Sequence, residues 1–586
     1  MTKIFGGRIL IEFNYIDAVE HDGDMIIWTR DTNGEMAVEN LPATDFYYLF
    51  MPDNTGEGEY FNLHGNRMKK VNFENRHEMK EFATFRNGIC ESDVPPNYKA
   101  IQDLFMDCRD DIPMNFGLYD IEVDFDLGDG LGYPTPENPH GEVNFVSLYD
   151  RTLNEYKMFI PERYKGTIAL DDSECPVTIY WHEDELELFI NFKDHLEHID
   201  IFTAWFGNGF DLPYMMARAF KIMAKKDAIS WFCRDNIPAR KREYVNEYKQ
   251  DAVSWTLFGR HHVDMMELYK KFIPGEKPSF SLDAVGEIEG VGKKIMYDDD
   301  GDLGELLKAN PQKFAEYSLH DTRLLKKLDD KLKIMDLAVL ISRMASVRVA
   351  DIVGSVKPID HKMIKFCRKK GNYVLPDKTP HDKEKFPGAI VYDSIVGRYG
   401  WTLSIDLTAL YPSVMIMLGL SPETYIFQCK HGYEDYLRVM TGSDTEIEVR
   451  DILTGDALFC SGGDLLQVIR EEGYTISANG SVFNGSFGIL SEFVQEIFME
   501  RKKNKKLSAD YAKAGDNELH VIHDLVQKVL KIFANSVYGA TSNVNFRLFD
   551  LDLAKSITLT GQMVSKHQAY KANALLEEYL EMIENE

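Results

Sequence analysis

Residues 118–125, LYDIEVDF, place two carboxylates within a run of apolar residues. Asp120 and Glu122 are two positions apart, so on a β-strand both side chains point to the same face. Two carboxylates held together repel each other, and a divalent cation with a preference for oxygen ligands, such as Mg²⁺, relieves that repulsion. An exposed strand with two solvated acids is the alternative, but the apolar residues 116–119 favour a central, buried strand. The stretch therefore predicts a metal site on a strand.

The composition is that of an ordinary globular protein. The 586 residues are 44% hydrophobic, which predicts several domains with sizeable cores. A formal net charge of −29 argues against a protein whose whole surface binds nucleic acid, although it leaves room for a local basic track. The 7 cysteines are scattered without a CxxC pair, which indicates reduced thiols in a cytosolic protein and neither a disulfide framework nor a zinc site. We expect no signal peptide and no membrane partner.

The hydrophobic patterns change along the chain. Residues 1 to about 110 show short alternating segments typical of a β-rich domain. Strands alternate with helices from Phe116 to about Met335, which predicts an α/β unit. Residues 387–407 are predicted to form two strands that enter a new domain, and two helices are predicted beyond residue 490.

Two later stretches add further acidic residues. Asp211, in WFGNGFDLPYMMAR, lies where a loop meets a predicted helix, and helix N-capping is its simplest role. Tyr317 and Asp321, in EYSLHDTRLL, are four positions apart and share one face of a predicted helix. Residues 261–264, HHVD, are interpreted as a strand end because their spacing lacks a third metal ligand.

In this order, the three acidic patterns resemble the three exonuclease motifs of proofreading DNA polymerases. The resemblance implies a ribonuclease H-like fold with 3′→5′ exonuclease activity, in which Tyr317 orients the attacking water. Two Mg²⁺ ions, or Mn²⁺ in their place, would clamp the attacking and leaving oxygens of a phosphodiester. The metal ligands that the resemblance implies are Asp120, Glu122, Asp211 and Asp321. The family usually carries an asparagine five positions before the second-motif aspartate, where this chain has Phe206.

A further aspartate lies in residues 403–416, LSIDLTALYPSVMI. The part DLTALYPS resembles the first palm motif of family B DNA polymerases. The resemblance implies that Asp406 binds both catalytic Mg²⁺ ions and that the Leu407 carbonyl binds one of them. Backbone N–H groups can cradle a triphosphate whatever the side chain. The residues implied to do so are Ala409, Leu410 and Tyr411, and the Tyr411 ring would also pack under the incoming sugar.

Residues 521–543, VIHDLVQKVLKIFANSVYGATSN, predict a helix with an apolar ridge at four-residue spacing. The pattern K-x-x-x-N-S-x-Y-G in this helix resembles the fingers motif of the same family. The preceding predicted helix carries MERKKNKK, which supplies more cations. Positioning and charge neutralisation are the main requirements of phosphoryl transfer. The residues implied to bind the nucleotide are Arg501, Lys505, Lys531, Asn535 and Tyr538.

The motifs FPGAIV, DLTALYPS, LSPET, QEIFMERKK and ANSVYGATSNVNFR occur in the order found in DNA polymerases of the T-even-type bacteriophages. The resemblance implies a multidomain α/β and α+β chain that acts on primer–template DNA and deoxynucleoside triphosphates in the cytoplasm of an infected bacterium. The implied domains are a β-rich N-terminal domain (1–113, completed by about 336–378), an exonuclease domain (114–335), the first part of a palm (379–487), two-helix fingers (488–543) and an incomplete second part of the palm (544–586).

The second palm motif of the family, Y-x-D-T-D-S, is absent from these 586 residues. One palm carboxylate cannot hold two Mg²⁺ ions, so three interpretations remain. The chain is the N-terminal subunit of a split polymerase, with a second chain that supplies the motif and the thumb and through which a sliding clamp and other replisome proteins bind. Alternatively, it is a stand-alone exonuclease with a vestigial polymerase part, or a non-catalytic remnant that binds DNA or a partner.

Overall fold

The computed structural model describes residues 4–5, 8–9, 13–107, 112–125, 131–245, 251–294, 303–382, 386, 388–393, 396–398, 405–407 and 409–585. The chain divides into two compact units. The first unit comprises Met1–Phe46 and Pro95–Val353, and the second comprises Tyr47–Val94 and Gly354–Glu586. The division into five domains is finer than these units and stays a prediction.

Strands and helices are numbered in chain order. The strands are β1 (Ile4–Phe5), β2 (Arg8–Ile9), β3 (Phe13–His21), β4 (Asp24–Asp31), β5 (Met36–Pro42), β6 (Tyr48–Pro52), β7 (Tyr60–Phe61), β8 (Arg67–Asn72), β9 (Phe116–Val123), β10 (Val143–Asp150), β11 (Glu155–Pro161), β12 (Val177–His182), β13 (Ile201–Ala204), β14 (Arg240–Val245), β15 (Asp251–Thr256), β16 (His261–Asp264), β17 (Tyr425–Cys429), β18 (Glu446–Asp451), β19 (Ala457–Ser461), β20 (Thr475–Ile476) and β21 (Ser481–Phe483). The helices are α1 (Arg76–Thr84), α2 (Pro96–Phe105), α3 (Glu185–His195), α4 (Asp211–Ile222), α5 (Lys225–Ser230), α6 (Met265–Phe272), α7 (Leu282–Ile288), α8 (Leu303–Ala309), α9 (Pro311–Leu332), α10 (Ile334–Ala345), α11 (Val356–Gly371), α12 (Leu410–Leu418), α13 (Tyr433–Met440), α14 (Gly462–Glu472), α15 (Ile489–Ala514), α16 (Asn517–Thr541) and α17 (Leu551–Asn585).

A six-stranded mixed sheet forms the centre of the first unit, with the strand order β12-β11-β10-β9-β13-β16. Strands β9, β10 and β11 are antiparallel neighbours, whereas β13 and β16 run parallel to β9. All eight residues of β10 are buried, as expected for a strand with both faces covered. The predicted central strand at residues 116–123 is confirmed as β9.

The two faces of the sheet are covered by different helices. Tyr119 and Ile121 of β9 join a core cluster with Phe189 and Phe192 of α3 and Met215 of α4. Successive strand residues point to opposite faces, so the side chains at positions 118, 120 and 122 point away from this core. The carboxylates of β9 therefore lie on the other face of the sheet.

A buried ion pair positions the start of helix α4. Arg218 Nε donates to Glu185 Oε1 at 2.8 Å, and Glu185 Oε1 also accepts from the Val143 N–H at 2.8 Å. Arg218 Nη1 donates to the Pro139 carbonyl at 3.0 Å. These bonds join α3, α4 and the first residue of β10, so the residue at the start of α4 has a defined place beside the sheet.

The second unit contains a five-stranded sheet, with the order β19-β18-β17-β21-β20, and the helices α11 to α17. The two helices predicted beyond residue 490 are confirmed as α15 and α16, which pack on each other and on α12. Within the described residues, no helix is long and apolar enough to cross a membrane.

The prediction of two strands in residues 387–407 is wrong for the part that the structure describes. Residues 388–393, 396–398 and 405–407 form no strand, and the rest of the stretch lies outside the described residues. Val391 and Val396 are 88% and 97% exposed. A strand requires a neighbouring edge with which its backbone groups can pair, and the described residues supply none here.

Candidate active sites

The carboxylate face of β9 is covered by helix α9. Ser147 lies opposite Asp120 in the antiparallel β9–β10 pair. Ser147 Oγ donates to the Ser318 carbonyl at 3.1 Å and lies 2.5 Å from Thr322 Oγ1. Both partners belong to α9. The helix therefore lies over the face to which Asp120 and Glu122 point.

Helix α9 adds a third carboxylate to the pair on β9. It begins after Asn310, whose side chain caps the first turn. Tyr317 and Asp321 are buried on the same side of the helix. Carboxylate oxygens of Asp120, Glu122 and Asp321 lie within 4.8 Å of one another, and in the described residues no other group of three or more potential ligands does so.

Asp211 belongs to the same charged cluster, although it is not part of that group of three. The N-capping role is wrong: Phe210 occupies the N-cap position and Asp211 is the first residue of α4. Its carboxylate is buried, and the Ile121 N–H of β9 favours the ionised form by lowering its pKa. Its charge raises the pKa of both Asp120 and Glu122. The four acidic residues predicted from three separate motifs thus interact in the folded chain.

Burial is the main cause of the raised pKa values of the carboxyl groups in this cluster. It raises the pKa of Asp120 well above its usual range, and the charge of Glu122 raises it further. Burial also raises the pKa of Glu122 to about 8 and that of Asp211 to about 7. Four carboxylates at neutral pH therefore carry an electrostatic cost that a nearby cation would relieve.

One cation already lies in the cluster. Lys294 Nζ donates to Asp321 Oδ2 at 2.5 Å and to the Tyr317 hydroxyl at 3.2 Å. Its charge also favours ionised Asp120 and Glu122. Sequence reasoning missed Lys294, because this lysine has no spacing pattern that relates it to the acidic motifs.

The loop before Asp211 differs from the pattern that the resemblance implies. Phe206 has a positive φ of 62° and a 51% exposed side chain, and a Cβ on Gly209 would collide with its ring. Asn208 does not replace the missing asparagine, because its side chain bonds His262 and Glu267. The loop therefore presents an apolar ring where the resemblance implies an amide.

The interpretation of residues 261–264 as a strand end is confirmed. These residues form β16, and Asp264 accepts hydrogen bonds from the Met266 and Glu267 N–H groups as the N-cap of α6. His262 bonds the Tyr119 hydroxyl, and His261 bonds the Ile16 carbonyl. All three polar side chains thus have structural partners.

The acidic cluster fits a divalent cation. Oδ1 of Asp321 is buried and has no hydrogen-bond partner within the described residues. Oxygen-only ligands at short mutual distances are the donors that Mg²⁺ and Mn²⁺ prefer. An ion held by Asp120, Glu122 and Asp321 would satisfy the free oxygen and offset the charge that raises their pKa values.

The predicted palm residues lie in the second unit. Asp406 is exposed and Leu407 half-buried, just before α12. Ala409 has a left-handed conformation with φ 53° and occupies the N-cap position of α12, without a capping side chain. The N–H groups of Leu410 and Tyr411 are therefore in the first turn of a helix, where backbone N–H groups have no partner within the helix. That is a suitable place for a phosphate.

Tyr411 connects the palm motif to the fingers helices. Its ring lies 4.3 Å from that of Tyr538 on α16, measured between centroids. A Cβ on Gly561 of α17 would approach the Tyr411 ring to 3.0 Å, so glycine leaves the space that the ring fills. Two predicted nucleotide-binding residues, from motifs more than 100 residues apart, are thus in contact.

The remaining predicted nucleotide-binding residues lie on the α15–α16 hairpin. Asn504 Oδ1 accepts a hydrogen bond from His523 Nδ1, and Ser508 Oγ is hydrogen-bonded to His520 Nδ1. These contacts set the antiparallel register of the two helices. Extended along the pair, this register places Lys531 about one turn from Arg501. Lys505, Lys531 and Asn535 are exposed, and the described residues place no carboxylate within ion-pair distance of Arg501, Lys505 or Lys531.

Comparisons with known proteins agree with this geometry. Residues 353–585 match the sequence model of DNA polymerase family B, and residues 96–285 match the model of the family B exonuclease domain. Both models describe DNA polymerase family B, and together they cover most of the chain. The exonuclease match spans β9 to α4, which carry three of the four acidic residues, and the polymerase match includes Asp406 and the α15–α16 hairpin.

The similarity of this chain to curated relatives is distant. It is 24% identical to the DNA-directed DNA polymerase of Escherichia phage RB69, over 96% of this chain and 66% of the phage protein. It is 27% identical to the DNA-directed DNA polymerase of Enterobacteria phage T4, over 78% of this chain and 55% of the phage protein. The DNA polymerase delta catalytic subunit of Glycine max is 25% identical to it, over 74% of this chain and 37% of the plant protein. The chain thus spans between about half and two thirds of the length of the phage polymerases that it matches.

The acidic cluster predicts an unusual pH dependence of stability. Without metal, folded Glu122 keeps its proton up to a pH of about 8, whereas in the unfolded chain it loses the proton near 4.5. Relative to Glu122→Gln, the free energy of unfolding of the wild type therefore falls as the pH rises from about 5 to about 8, by at most roughly 1.4 kcal/mol per pH unit. Urea denaturation in EDTA at several pH values measures this difference.

Mg²⁺ should flatten the same curve, because a bound ion favours the ionised carboxylate. The exposed Asp124, the first residue after β9, offers a matched control: Asp124→Asn should leave the pH dependence unchanged. A pH-independent difference between the wild type and Glu122→Gln in EDTA would contradict the account.

Proposed function

We propose that the first unit of this chain is a 3′→5′ exodeoxyribonuclease that removes nucleotides from a primer end. The observation that supports this proposal most strongly is the convergence of Asp120, Glu122 and Asp321, with buried Asp211 and Tyr317 beside them. The sheet order, with three antiparallel strands followed by two parallel ones, is that expected of a ribonuclease H-like domain.

The side chains would divide the work of phosphodiester hydrolysis. Asp120, Glu122, Asp211 and Asp321 would hold two divalent ions, which supply Lewis acidity at the attacking and leaving oxygens when bound. The Tyr317 hydroxyl, which hydrogen-bonds Asp321, is placed to orient a water beside the carboxylates. Lys294 would offset negative charge that the phosphate brings into the cluster.

We expect Asp120→Asn to lower the rate of primer shortening by about 10²–10³-fold, because it removes one metal ligand with little change in shape. The measurement uses the purified chain, Mg²⁺ and a 5′-labelled primer–template. Asp124→Asn is the matched control and should cleave at the wild-type rate. Shortening that persists at full rate in Asp120→Asn would contradict the assignment.

For the second unit, we propose the N-terminal part of a polymerase site that a second polypeptide completes. Within the described residues, Asp406 belongs to no group of three potential metal ligands. Val391, Tyr392 and Val396 are exposed close to the palm motif, as expected of a surface that further palm strands cover. The second chain would supply the second palm aspartate and the thumb, and contacts with a sliding clamp and other replisome proteins would pass through it.

The fingers hairpin favours this proposal over a vestigial polymerase part. Arg501 and Lys505 on α15 and Lys531 on α16 have no carboxylate partners in the described residues, and Tyr538 of α16 contacts Tyr411 of the palm motif. A surface with no nucleotide to bind has no reason to concentrate unpaired cations in this way. The proposed substrates are primer–template DNA and deoxynucleoside triphosphates, with Mg²⁺ as the metal.

In an Asp120→Asn background, we expect no primer extension by the chain alone. We expect extension when it is purified from its natural source together with a polypeptide that carries Y-x-D-T-D-S. Lys531→Met should reduce that extension about tenfold or more by weakening nucleotide binding, whereas Lys528→Met on the same helix, whose lysine pairs with Asp524, should not. Extension by the chain alone, or a single native polypeptide that carries both palm motifs, would contradict the two-chain proposal.

A further inference from the structure

Arg260 has an environment that the proposed activities do not explain. It immediately precedes β16 in the first unit and is 3% exposed. Its Nε and Nη1 atoms have no hydrogen-bond partner within the described residues. Buried guanidinium groups are almost always paired, because an unpaired buried charge is costly. Arg348 in the same unit shows the usual arrangement, with bonds of 2.6 and 2.9 Å to Asp17.

The buried carboxylate close to Arg260 is already occupied. Asp200 accepts from Arg30 Nε at 2.8 Å and from Arg234 Nη1 at 3.1 Å. It also accepts from the Asn115 N–H at 2.9 Å. Two buried guanidinium groups are therefore paired with one buried carboxylate, and within the described residues Arg260 forms no ion pair.

Arg260 lines a cavity of about 340 Å³. Arg234 and Lys193 also line this cavity, and Met36 and Val38 add an apolar wall. The Nε of Arg234, like that of Arg260, is buried and has no hydrogen-bond partner in the described part of the chain. Burial lowers the pKa of Arg260 to about 9 and the charge of Arg234 adds to this effect, whereas the charges of Asp200 and Glu197 oppose it.

The character of the cavity indicates the kind of ligand. The exposed carboxylates of Asp194, Glu197 and Asp235 also line it, and Asp235 accepts a hydrogen bond from Trp28 Nε1. Acidic side chains on the exposed side disfavour a polyanion such as a nucleic-acid strand. The apolar wall and the volume suit a compact organic molecule with one oxyanion.

We propose that this cavity is a binding site for a small organic phosphate, whose oxyanion is held by the unpaired Nε and Nη1 of Arg260 together with the Nε of Arg234. The planar guanidinium fork matches the oxygens of a phosphate, and charge-assisted bonds of this type are strong. The organic part of the ligand would lie against Met36 and Val38. This site does not depend on the exonuclease or polymerase proposals.

The test is a titration of the full chain by isothermal calorimetry with phenyl phosphate, inorganic phosphate, benzoate and phenol. We expect phenyl phosphate to bind at least tenfold more tightly than inorganic phosphate or benzoate, and phenol not to bind. Arg260→Met should lower the affinity for phenyl phosphate at least tenfold. Arg242 is an exposed arginine in β14 outside the cavity, and Arg242→Met should leave this affinity unchanged. Failure of phenyl phosphate to bind, or equal binding by Arg260→Met, would overturn the proposal.

Thermal unfolding of the free variants separates a binding role from a structural one. A residue kept for an absent ligand contributes little to the free protein, so Arg260→Met should unfold at or above the wild-type temperature. If Arg260→Met does not fold, wild-type crystals soaked in phenyl phosphate decide the question. A phosphate within hydrogen-bond distance of Arg260 would then support the proposal. The absence of such density would overturn the proposal independently of the variants.

Discussion

The carboxylates on β9 and α9 repel each other, and the fold of the first unit must hold them together against this repulsion. Asp120 and Glu122 share a strand face, and the packing of α9 through Ser147 brings Asp321 to within 4.8 Å of them. Folding alone would not favour this arrangement, since each buried charge raises the pKa of its neighbours. The surrounding core, including the Arg218–Glu185 pair beside α4, must hold the carboxylates together against that repulsion.

The fingers hairpin of the second unit presents the opposite charge. Within the described residues, Arg501 and Lys505 on α15 and Lys531 on α16 have no carboxylate partner, and the Tyr538 ring of α16 contacts Tyr411 of the palm motif. Crowded carboxylates favour a bound cation, and cationic side chains without partners favour a bound anion. The predicted sites of the two units would therefore attract ligands of opposite charge.

Local periodicity accounts for what could be predicted from the sequence. Backbone geometry places residues at i, i+2 on one face of a strand and residues at i, i+4 on one face of a helix. These rules predicted the shared faces of Asp120 with Glu122 and of Tyr317 with Asp321. Hydrophobic periodicity likewise predicted the helices α15 and α16. Lys294 and the unpaired Arg260 could not be predicted, because tertiary contacts alone define them. The prediction of strands in residues 387–407 was wrong for a related reason, because a strand needs a neighbouring edge that its own sequence does not contain.

The central claim is that the cluster on β9 and α9 binds divalent metal. Crystals of the chain soaked in Mn²⁺ and measured at the manganese absorption edge test it directly. The account predicts two anomalous peaks roughly 4 Å apart, one of them within coordination distance of Asp120, Glu122 and Asp321, and both absent in Asp120→Asn. Peaks elsewhere on the chain, with none at this cluster, would contradict it.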